Sequence, residues 1–188
     1  MARLTIRDLC MMALFAAIIA VLAQITIPLP LVPLTMQTFA VALAGVVLGA
    51  RKGALTVCLY VLLGAIGMPV FSAFQGGIGM LVGPAGGYIL SFPLIALIVG
   101  LVSDRAAKLR EAGQSLPASV VLTAGLALGI VVNLGMGTAY LSWVLQLGLF
   151  EAIAAGMLPF LVPELLKSVL VFTIAPKIRQ VIDSRARA

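Results

Sequence analysis

The sequence predicts an all-α integral membrane protein: a bundle of six transmembrane helices, with the N- and C-termini cytoplasmic and a Gly-rich outer loop capping a binding site. Three observations predict this fold: the hydrophobic content, the number of apolar runs and the distribution of basic residues. Of 188 residues, 63% are hydrophobic and 10% are charged, and the mean hydropathy is +1.24. A soluble domain carries about 25% charged residues and could not hide this much apolar surface. A soluble enzyme, a nucleic-acid-binding protein and a secreted disulfide scaffold are therefore excluded.

Apolar runs divide the chain into six spans, and we expect residues 1–188 to form a single membrane-embedded domain. A transmembrane helix needs about 20 apolar residues, so six helices use about 120 residues and approach the maximum for this length. The predicted spans are Leu9–Ile27, Gln37–Ala50, Gly53–Gly67, Tyr88–Val102, Pro117–Leu141 and Ala152–Ile174.

The boundaries of the spans follow from prolines, glycines and charges. The first span ends at a cluster of three prolines, and the second, which is short, stops at Arg51 and Lys52. The polar stretch Asp104–Ser115, between the fourth and fifth spans, is the only one typical of a solvated loop. Pro163 interrupts the sixth run, where it suits the first turn of a helix because its missing N–H costs nothing there.

The basic residues test the number of spans. Eleven of the twelve lie in four clusters, and each cluster follows an even number of crossings. The positive-inside rule makes the face that carries them cytoplasmic, which places both chain termini inside. The clusters are Arg3 and Arg7; Arg51 and Lys52; Arg105, Lys108 and Arg110; and Lys177, Arg179, Arg185 and Arg187.

The three outer connections, Pro28–Met36, Met68–Gly87 and Ser142–Glu151, are unusually apolar. They contain no Lys or Arg and a single acid, and they are rich in glycine, proline and aromatic residues. Solvated loops are usually polar, so we expect these segments to fold back over something buried.

Lys167 is the twelfth basic residue, and it lies inside the sixth span, three residues after Glu164. Spacing of i,i+3 puts both side chains on one helical face. Ten residues, about 15 Å of helix, separate Lys167 from the basic cluster that begins at Lys177, so both groups lie in the outer half of the membrane. Charged groups at that depth are costly and usually mark a functional site. They either pair only with each other or serve as donor and acceptor for a polar ligand, and we favour the ligand.

Glycines cluster in the second outer connection, and Gly76, Gly77, Gly79 and Gly86 are candidates for backbone contact with a ligand. The phosphate-binding P-loop pattern fails because no Lys-Ser or Lys-Thr follows. The alternative is close helix packing through small residues.

Other candidates for ligand contact are polar or aromatic residues at the ends of the apolar runs or within them. Each could instead be an interfacial anchor, a helix–helix hydrogen bond or core packing. These candidates are Gln37, Phe74, Tyr88, Asn133 and Tyr140. Ala13 and Ala17, four residues apart in the first span, would let another helix approach closely, within this chain or in a partner protein.

No catalytic set or metal site is predicted. The chain has no histidine, no CxxC pair, no nucleotide-binding motif and only six acidic residues. We expect no cofactor and no enzymatic activity, so the chain must move a substrate downhill or use energy supplied by a partner.

Four segments together resemble the BioY family, the biotin-specific substrate-binding (S) components of energy-coupling-factor (ECF) transporters. They are Leu34–Phe39 (LTMQTF), Leu62–Phe71 (LLGAIGMPVF), Gly83–Tyr88 (GPAGGY) and Leu158–Lys167 (LPFLVPELLK). The resemblance covers nearly the whole chain.

The resemblance implies a six-helix protein of the bacterial cell (inner) membrane that binds biotin from outside. It further implies a membrane coupling protein and two cytoplasmic ATPase subunits as partners. By position, the family's helix-six acid and lysine correspond to Glu164 and Lys167, and its AxxxA coupling surface corresponds to Ala13 and Ala17. Two positions depart from the pattern of this family: Glu164 stands where an Asp is common, and Ala85 stands where a Thr is common.

Two other functions stay open from the residues alone. One is a self-sufficient secondary carrier for biotin or another small anion. The other is a membrane enzyme or assembly factor without a transported ligand. Only the motif resemblance selects biotin over another vitamin such as thiamine or riboflavin.

Overall fold

A computed structural model of the chain describes residues 4–187, and its side chains from 4 to 184. Arg3 and the side chains of Arg185 and Arg187 lie outside the described part. Seven α-helices, one 3-10 turn (Ser72–Phe74) and a small β-hairpin make up the structure. The helices are α1 (Ile6–Leu22), α2 (Gln37–Ala65), α3 (Gly79–Val82), α4 (Gly86–Glu111), α5 (Ser115–Leu145), α6 (Leu149–Gly156) and α7 (Leu158–Arg187), and the antiparallel strands are β1 (Thr26–Ile27) and β2 (Leu34–Thr35).

The α2 segment reverses direction at Gly49. This residue has φ 78° and ψ 176°, a backbone conformation that favours glycine. A Cβ built at Gly53 would lie 2.9 Å from Cα of Gly45, although eight residues of continuous helix span about 12 Å. Gln37 and Tyr60, near opposite ends of the segment, are joined by a hydrogen bond of 2.6 Å. Residues 37–48 and 50–65 therefore run antiparallel, as two helices joined at Gly49.

Glycines allow α4 to pack very closely on the α2 segment. A Cβ built at Gly100 would lie 2.5 Å from Cα of Ala50, and one at Gly45 would lie 2.8 Å from the carbonyl oxygen of Ala96. This contact forms the centre of a hydrophobic core that also receives side chains from α1, α5 and α7. Close backbone contact between small residues is a common way for helices to associate in lipid.

Charged residues join several helices at one end of the bundle. Lys52 forms an ion pair with Asp8 at the start of α1, and Arg7 donates to the carbonyl of Ile182 near the end of α7. The Asp104 carboxylate accepts from the Arg179 guanidinium at 2.6 Å and from the Ala50 N–H at 3.1 Å. The four regions that carry the basic clusters thus meet at this end.

Four helices in the part of the chain that the structure describes are long and apolar enough to cross a membrane: Gln37–Ala65, Gly86–Glu111, Ser115–Leu145 and Leu158–Ser184. Many large apolar side chains on the bundle are exposed, among them Val131 at 66% and Leu166 at 63%. Lipid rather than water suits such a surface. The chain is therefore a mostly helical, multi-pass membrane protein.

The fold is mostly α-helical, as expected, with one addition that the sequence did not predict: strand β1, just before the first outer connection, pairs with strand β2 inside it. Two other expectations require correction. Most of the expected loop Asp104–Ser115 is helical, since α4 continues to Glu111 and α5 begins at Ser115. Pro163 is not in a first turn, because α7 begins at Leu158 after the separate short helix α6.

The close contact at Gly100 gives a test of the fold. We expect Gly100→Ala to destabilise the protein by about 1–3 kcal/mol, the usual cost of overpacking, because the added methyl meets the backbone of Ala50. Gly135→Ala is the matched control, since a Cβ there has no atom within 4 Å. Thermal unfolding in detergent should show a lower Tm for Gly100→Ala only. Equal Tm values for the two variants would contradict this packing.

Candidate ligand-binding site

A cavity lies between the first outer connection and the ends of four helices, opposite the charged end of the bundle. Its volume is about 440 Å³ when the open space at its mouth is included. The lining is mostly apolar with a few polar groups, the usual composition of a small-molecule site. It consists of Val32, Pro33, Leu34, Thr35, Gln37, Thr38, Ser72, Ala85, Tyr88, Ile89, Phe92, Asn133, Phe160 and Glu164.

The first outer loop, residues 28–36, forms one wall of this cavity. The β1–β2 ladder fixes its two ends, with Thr26 opposite Thr35. Val32 is 5% exposed and packs in a cluster with Tyr88 and Phe160. This loop therefore folds inward over the bundle, as its apolar composition predicted.

Glu164 and Lys167 face the protein interior. Their side chains are 7% and 8% exposed, and Lys167 Nζ lies 2.6 Å from Glu164 Oε1. The same oxygen accepts from the Thr38 hydroxyl at 2.8 Å. The hydrogen bonds from Lys167 and Thr38 both end on Oε1. The other carboxylate oxygen of Glu164, Oε2, takes part in neither bond, and Glu164 lines the cavity.

Lys167 lies one layer deeper than the cavity wall. A smaller adjoining cavity is lined by Thr38, Asn133 and Glu164, which also line the first cavity, and by Lys167. The ammonium donates to three acceptors: Glu164 Oε1, the Thr38 hydroxyl at 3.0 Å and the Thr35 carbonyl at 2.6 Å. An ammonium has three donors, so the protein supplies a partner for each.

Gln37 lines the cavity and belongs to a network that ties the outer segments together. Its amide donates to the Tyr60 hydroxyl, which donates to the Val70 carbonyl at 2.9 Å. Its carbonyl oxygen accepts from the Thr35 hydroxyl at 2.9 Å. The first and second outer connections are thus linked through this one side chain.

Tyr88 of α4 and Asn133 of α5 also line the cavity. The Tyr88 ring packs 5.9 Å from that of Phe160, while its hydroxyl donates to the Gly156 carbonyl at 2.6 Å. Asn133 donates to the Ser91 hydroxyl at 2.8 Å and is 3% exposed. Tyr88 therefore offers mainly an aromatic surface to the cavity, and Asn133 offers an amide.

Several predicted ligand contacts lie outside the cavity lining. Phe74 is 70% exposed, and Gly86 lies against the backbone of Leu81. Tyr140 packs beside Gly87 and donates to the Leu81 carbonyl at 3.1 Å, so it supports the glycine-rich connection from behind. That connection contributes Ser72 and Ala85 to the lining, and Gly76, Gly77 and Gly79 are not among the lining residues.

Ala13 and Ala17 lie on an exposed face of α1, whereas Ala16 is buried against the bundle. The structure thus separates the two alanine ridges of this helix. The Ala13–Ala17 ridge is turned away from the core of this chain.

Sequence reasoning did not select several lining residues, including Thr35, Thr38, Ser72 and Phe160. Two of the hydroxyl residues stand close to residues that were selected: Thr38 is next to Gln37, and Ser72 is two residues before Phe74. A search for hydroxyls flanking the apolar runs would have found them. Phe160 has no such signal, because a phenylalanine in an apolar run is most often core packing.

Comparison with known proteins agrees with this architecture. The family model described as the BioY family matches residues 1–184. The chain belongs to the BioY family. Its relatives include a protein named "Probable biotin transporter BioY" from Pyrococcus horikoshii, 37% identical over 92% of this chain and 96% of that protein. They also include "Biotin transporter BioY" from Thermotoga maritima, 38% identical over 93% and 96% of the two chains.

The fold has a counterpart among solved structures. The crystal structure of the S-component for biotin from an ECF-type ABC transporter superimposes with a TM-score of 0.81 over 95% of both chains, at 24% sequence identity. At that identity the likeness concerns the fold. This BioY-family chain therefore has the architecture of an S component.

Proposed function

We propose that the chain is the high-affinity biotin-binding membrane subunit of an ECF-type uptake transporter, energised by a coupling protein and two separate ATPase subunits. The observation that carries the proposal is the buried Glu164–Lys167 pair beside an outer cavity. The names of the relatives support biotin as the ligand. Family membership identifies the chain as a transport protein rather than an enzyme.

The chemistry of the cavity suits biotin. This molecule has an apolar bicycle and chain, a ureido group with two N–H donors and one carbonyl, and a carboxylate. The aromatic surfaces of Tyr88, Phe92 and Phe160 suit its apolar parts. Glu164 can accept a ureido N–H. Lys167 can meet a ligand oxygen by a charge-assisted hydrogen bond when that oxygen replaces one of its three protein acceptors.

We further propose six membrane crossings with both termini in the cytoplasm. The antiparallel halves of α2 supply two of the crossings, and α1 supplies another although its 17 residues span only about 25 Å. The charged end of the bundle, which carries the basic clusters, then faces the cytoplasm. The cavity then opens toward the non-cytoplasmic side of the membrane, so the ligand enters from outside the cell. The membrane is the bacterial cell (inner) membrane.

The Ala13–Ala17 ridge is the proposed contact with the coupling protein. Small exposed residues four apart on a lipid-facing helix allow close approach of a second helix. A self-sufficient secondary carrier is the alternative function. Biotin uptake into vesicles that contain only this chain would favour that alternative.

Removing either member of the buried pair should weaken biotin binding. We expect Lys167→Ala and Glu164→Gln each to cost about 1.5–3 kcal/mol, the scale for a hydrogen bond to a charged group, or roughly 10- to 100-fold in Kd. Titration of purified protein in detergent against biotin, thiamine and riboflavin measures this effect and the choice of vitamin.

Thr173→Val is the matched control for this titration. Thr173 is exposed on the same helix, and its hydroxyl bonds only to carbonyls of α7. Its Kd should equal that of the parent. If Lys167→Ala and Glu164→Gln both bind biotin like the parent while remaining folded, the pair is not part of the site.

Larger side chains on the Ala13–Ala17 ridge should impair transport without impairing biotin binding. We expect Ala13→Leu/Ala17→Leu to retain biotin binding in detergent but to lose most biotin uptake in cells that supply the coupling protein and ATPases. Ala124→Leu, at an exposed position on α5, controls for added bulk and should transport normally. Full uptake by the double variant would exclude this ridge as the contact.

A further inference from the structure

A second large cavity, which we call the α4–α7 cavity, lies at the charged end of the bundle. Its volume is about 800 Å³ when the open space at its mouth is included. One wall is a face of α4 from Ser103 to Arg110, the other is a face of α7 from Pro176 to Asp183, and Leu122 of α5 completes the lining. Both helices begin beside the first cavity and run to the charged end, so Ser103 and Pro176 lie at the base and Arg110 and Asp183 lie at the mouth.

The mouth of the α4–α7 cavity carries charges of both signs. Arg110 and Arg179 supply two positive groups, and Glu111 and Asp183 supply two negative groups. Among residues 4–184, whose side chains the structure describes, the Arg110 guanidinium has no hydrogen-bond or ion-pair partner. A lining with two charges of each sign favours a zwitterionic ligand over a simple anion or cation.

Arg179 has a donor to spare for such a ligand. Its two terminal nitrogens are hydrogen-bonded, one of them to Asp104 at 2.6 Å. Its Nε–H is buried and has no hydrogen-bond acceptor in the described part of the chain. The nearest carboxylate oxygen, of Asp183, lies 3.7 Å away, which is too far for a hydrogen bond. Buried donors normally have a partner, so an acceptor is missing here.

An apolar space, which we call the α5–α7 groove, lies next to this cavity along α7. Its volume is about 560 Å³ when the open space at its mouth is included. The lining runs from Thr123 to Ile130 on α5 and from Leu165 to Phe172 on α7. Leu165 and Val169 are 52% and 60% exposed. The groove therefore opens sideways, toward the lipid that surrounds the bundle.

The groove and the cavity lie end to end. Phe172 lines the groove and Pro176, one helical turn further along α7, lines the cavity. On α5 the same step separates Leu126 in the groove from Leu122 in the cavity. Together the two spaces make a path along α7 that is charged at one end and apolar over the rest of its length.

The path matches one lipid leaflet in length. Arg179 at the cavity and Ser168 in the groove are eleven residues apart on α7, which corresponds to about 16 Å of helix. Half of a hydrocarbon core about 30 Å thick is about 15 Å. An acyl chain that lies in the groove therefore has its headgroup at the charged mouth of the cavity.

We propose that this path binds one phospholipid whose headgroup carries both a phosphate and a primary ammonium, as in phosphatidylethanolamine. The phosphate lies against the guanidinium groups of Arg110 and Arg179, the ammonium lies against the Asp183 carboxylate, and an acyl chain fills the groove. Guanidinium and phosphate form strong charge-assisted hydrogen bonds, and basic pockets between transmembrane helices are typical headgroup sites. The site lies at the opposite end of the bundle from the first cavity, so it does not depend on the proposed function.

A comparison of three lipids tests the headgroup. The protein in detergent is mixed with phosphatidylethanolamine, phosphatidylcholine or phosphatidylglycerol of identical acyl chains, and bound lipid is measured by native mass spectrometry. We expect one phosphatidylethanolamine to bind about two- to fivefold more tightly than either of the others, the range for an exposed ion pair. Phosphatidylcholine has no ammonium N–H to donate, and phosphatidylglycerol has no cation for Asp183. Equal binding of the three lipids, or tighter binding of another, would overturn the headgroup assignment.

Charge variants test the two halves of the headgroup site. Arg110→Ala should weaken binding of phosphatidylethanolamine about fivefold, the usual effect of one basic residue near a membrane surface. Arg105→Ala is the matched control, because Arg105 is exposed on the same helix outside the cavity lining, and it should bind like the parent. Asp183→Asn should abolish the preference for phosphatidylethanolamine over phosphatidylglycerol. Equal binding by the two arginine variants would show that retained lipid is adventitious only.

A bulky side chain in the groove tests the place of the acyl chain. Ala127 lines the groove, whereas Ala124 is exposed on the same helix outside it. We expect Ala127→Phe to lose most bound lipid of every headgroup and Ala124→Phe to bind like the parent. Equal binding by these two variants would overturn the groove as the acyl-chain site.

The same spectra identify a protein occupant. If a second copy of the chain fills the groove, the parent should be dimeric and Ala127→Phe monomeric, with equal lipid binding in both. That result would also overturn the lipid site. A monomeric parent that binds one lipid, and loses it in Ala127→Phe and Arg110→Ala but not in their controls, is the result that the proposal predicts.

Discussion

A carboxylate and an ammonium buried within a membrane bundle set the main constraint on this structure. Charges in such surroundings are costly unless they are paired and hydrogen-bonded. Glu164 and Lys167 meet this requirement with each other and with the Thr38 hydroxyl and the Thr35 carbonyl. The outer end of the fold is arranged around these bonds: α7 carries the pair, α2 brings the threonine hydroxyl, and the first outer loop brings a backbone oxygen.

The rest of the bundle makes that arrangement possible. The reversal at Gly49 brings the second half of α2 back beside its first half, so that Tyr60 meets Gln37. The neighbouring Thr38 reaches Glu164 of α7 at the same end. Gly100 lets α4 pack closely against the turn at Gly49. The Arg179–Asp104 ion pair lies at this same charged end of the bundle. The two ends are chemically different as a result. Ion pairs join the helices at the charged end, whereas short, proline- and glycine-rich segments cover the opposite end, where we propose that the ligand enters.

Sequence patterns predicted the parts of this account that depend on residue type. Lys167 was conspicuous because a lysine in an apolar run is expensive, and the basic clusters predicted which regions share one end. Backbone partners and directions could not be predicted in this way. The Thr35 carbonyl looks like any other carbonyl in a sequence. In the sequence, Tyr140 and Tyr88 are equally good candidates, but of the two only Tyr88 lines the cavity. Helix rotation and the path of the glycine-rich connection decide which aromatic ring faces inward, and neither can be read from residue type.

The most direct test of the central claim is an experimental structure of the protein in a lipid nanodisc with biotin. Our account predicts that the ligand lies between the first outer loop and α4, α5 and α7, with one of its polar groups within hydrogen-bonding distance of Glu164. Biotin bound elsewhere on the protein, with the Glu164–Lys167 pair unchanged and no ligand in the cavity, would contradict it.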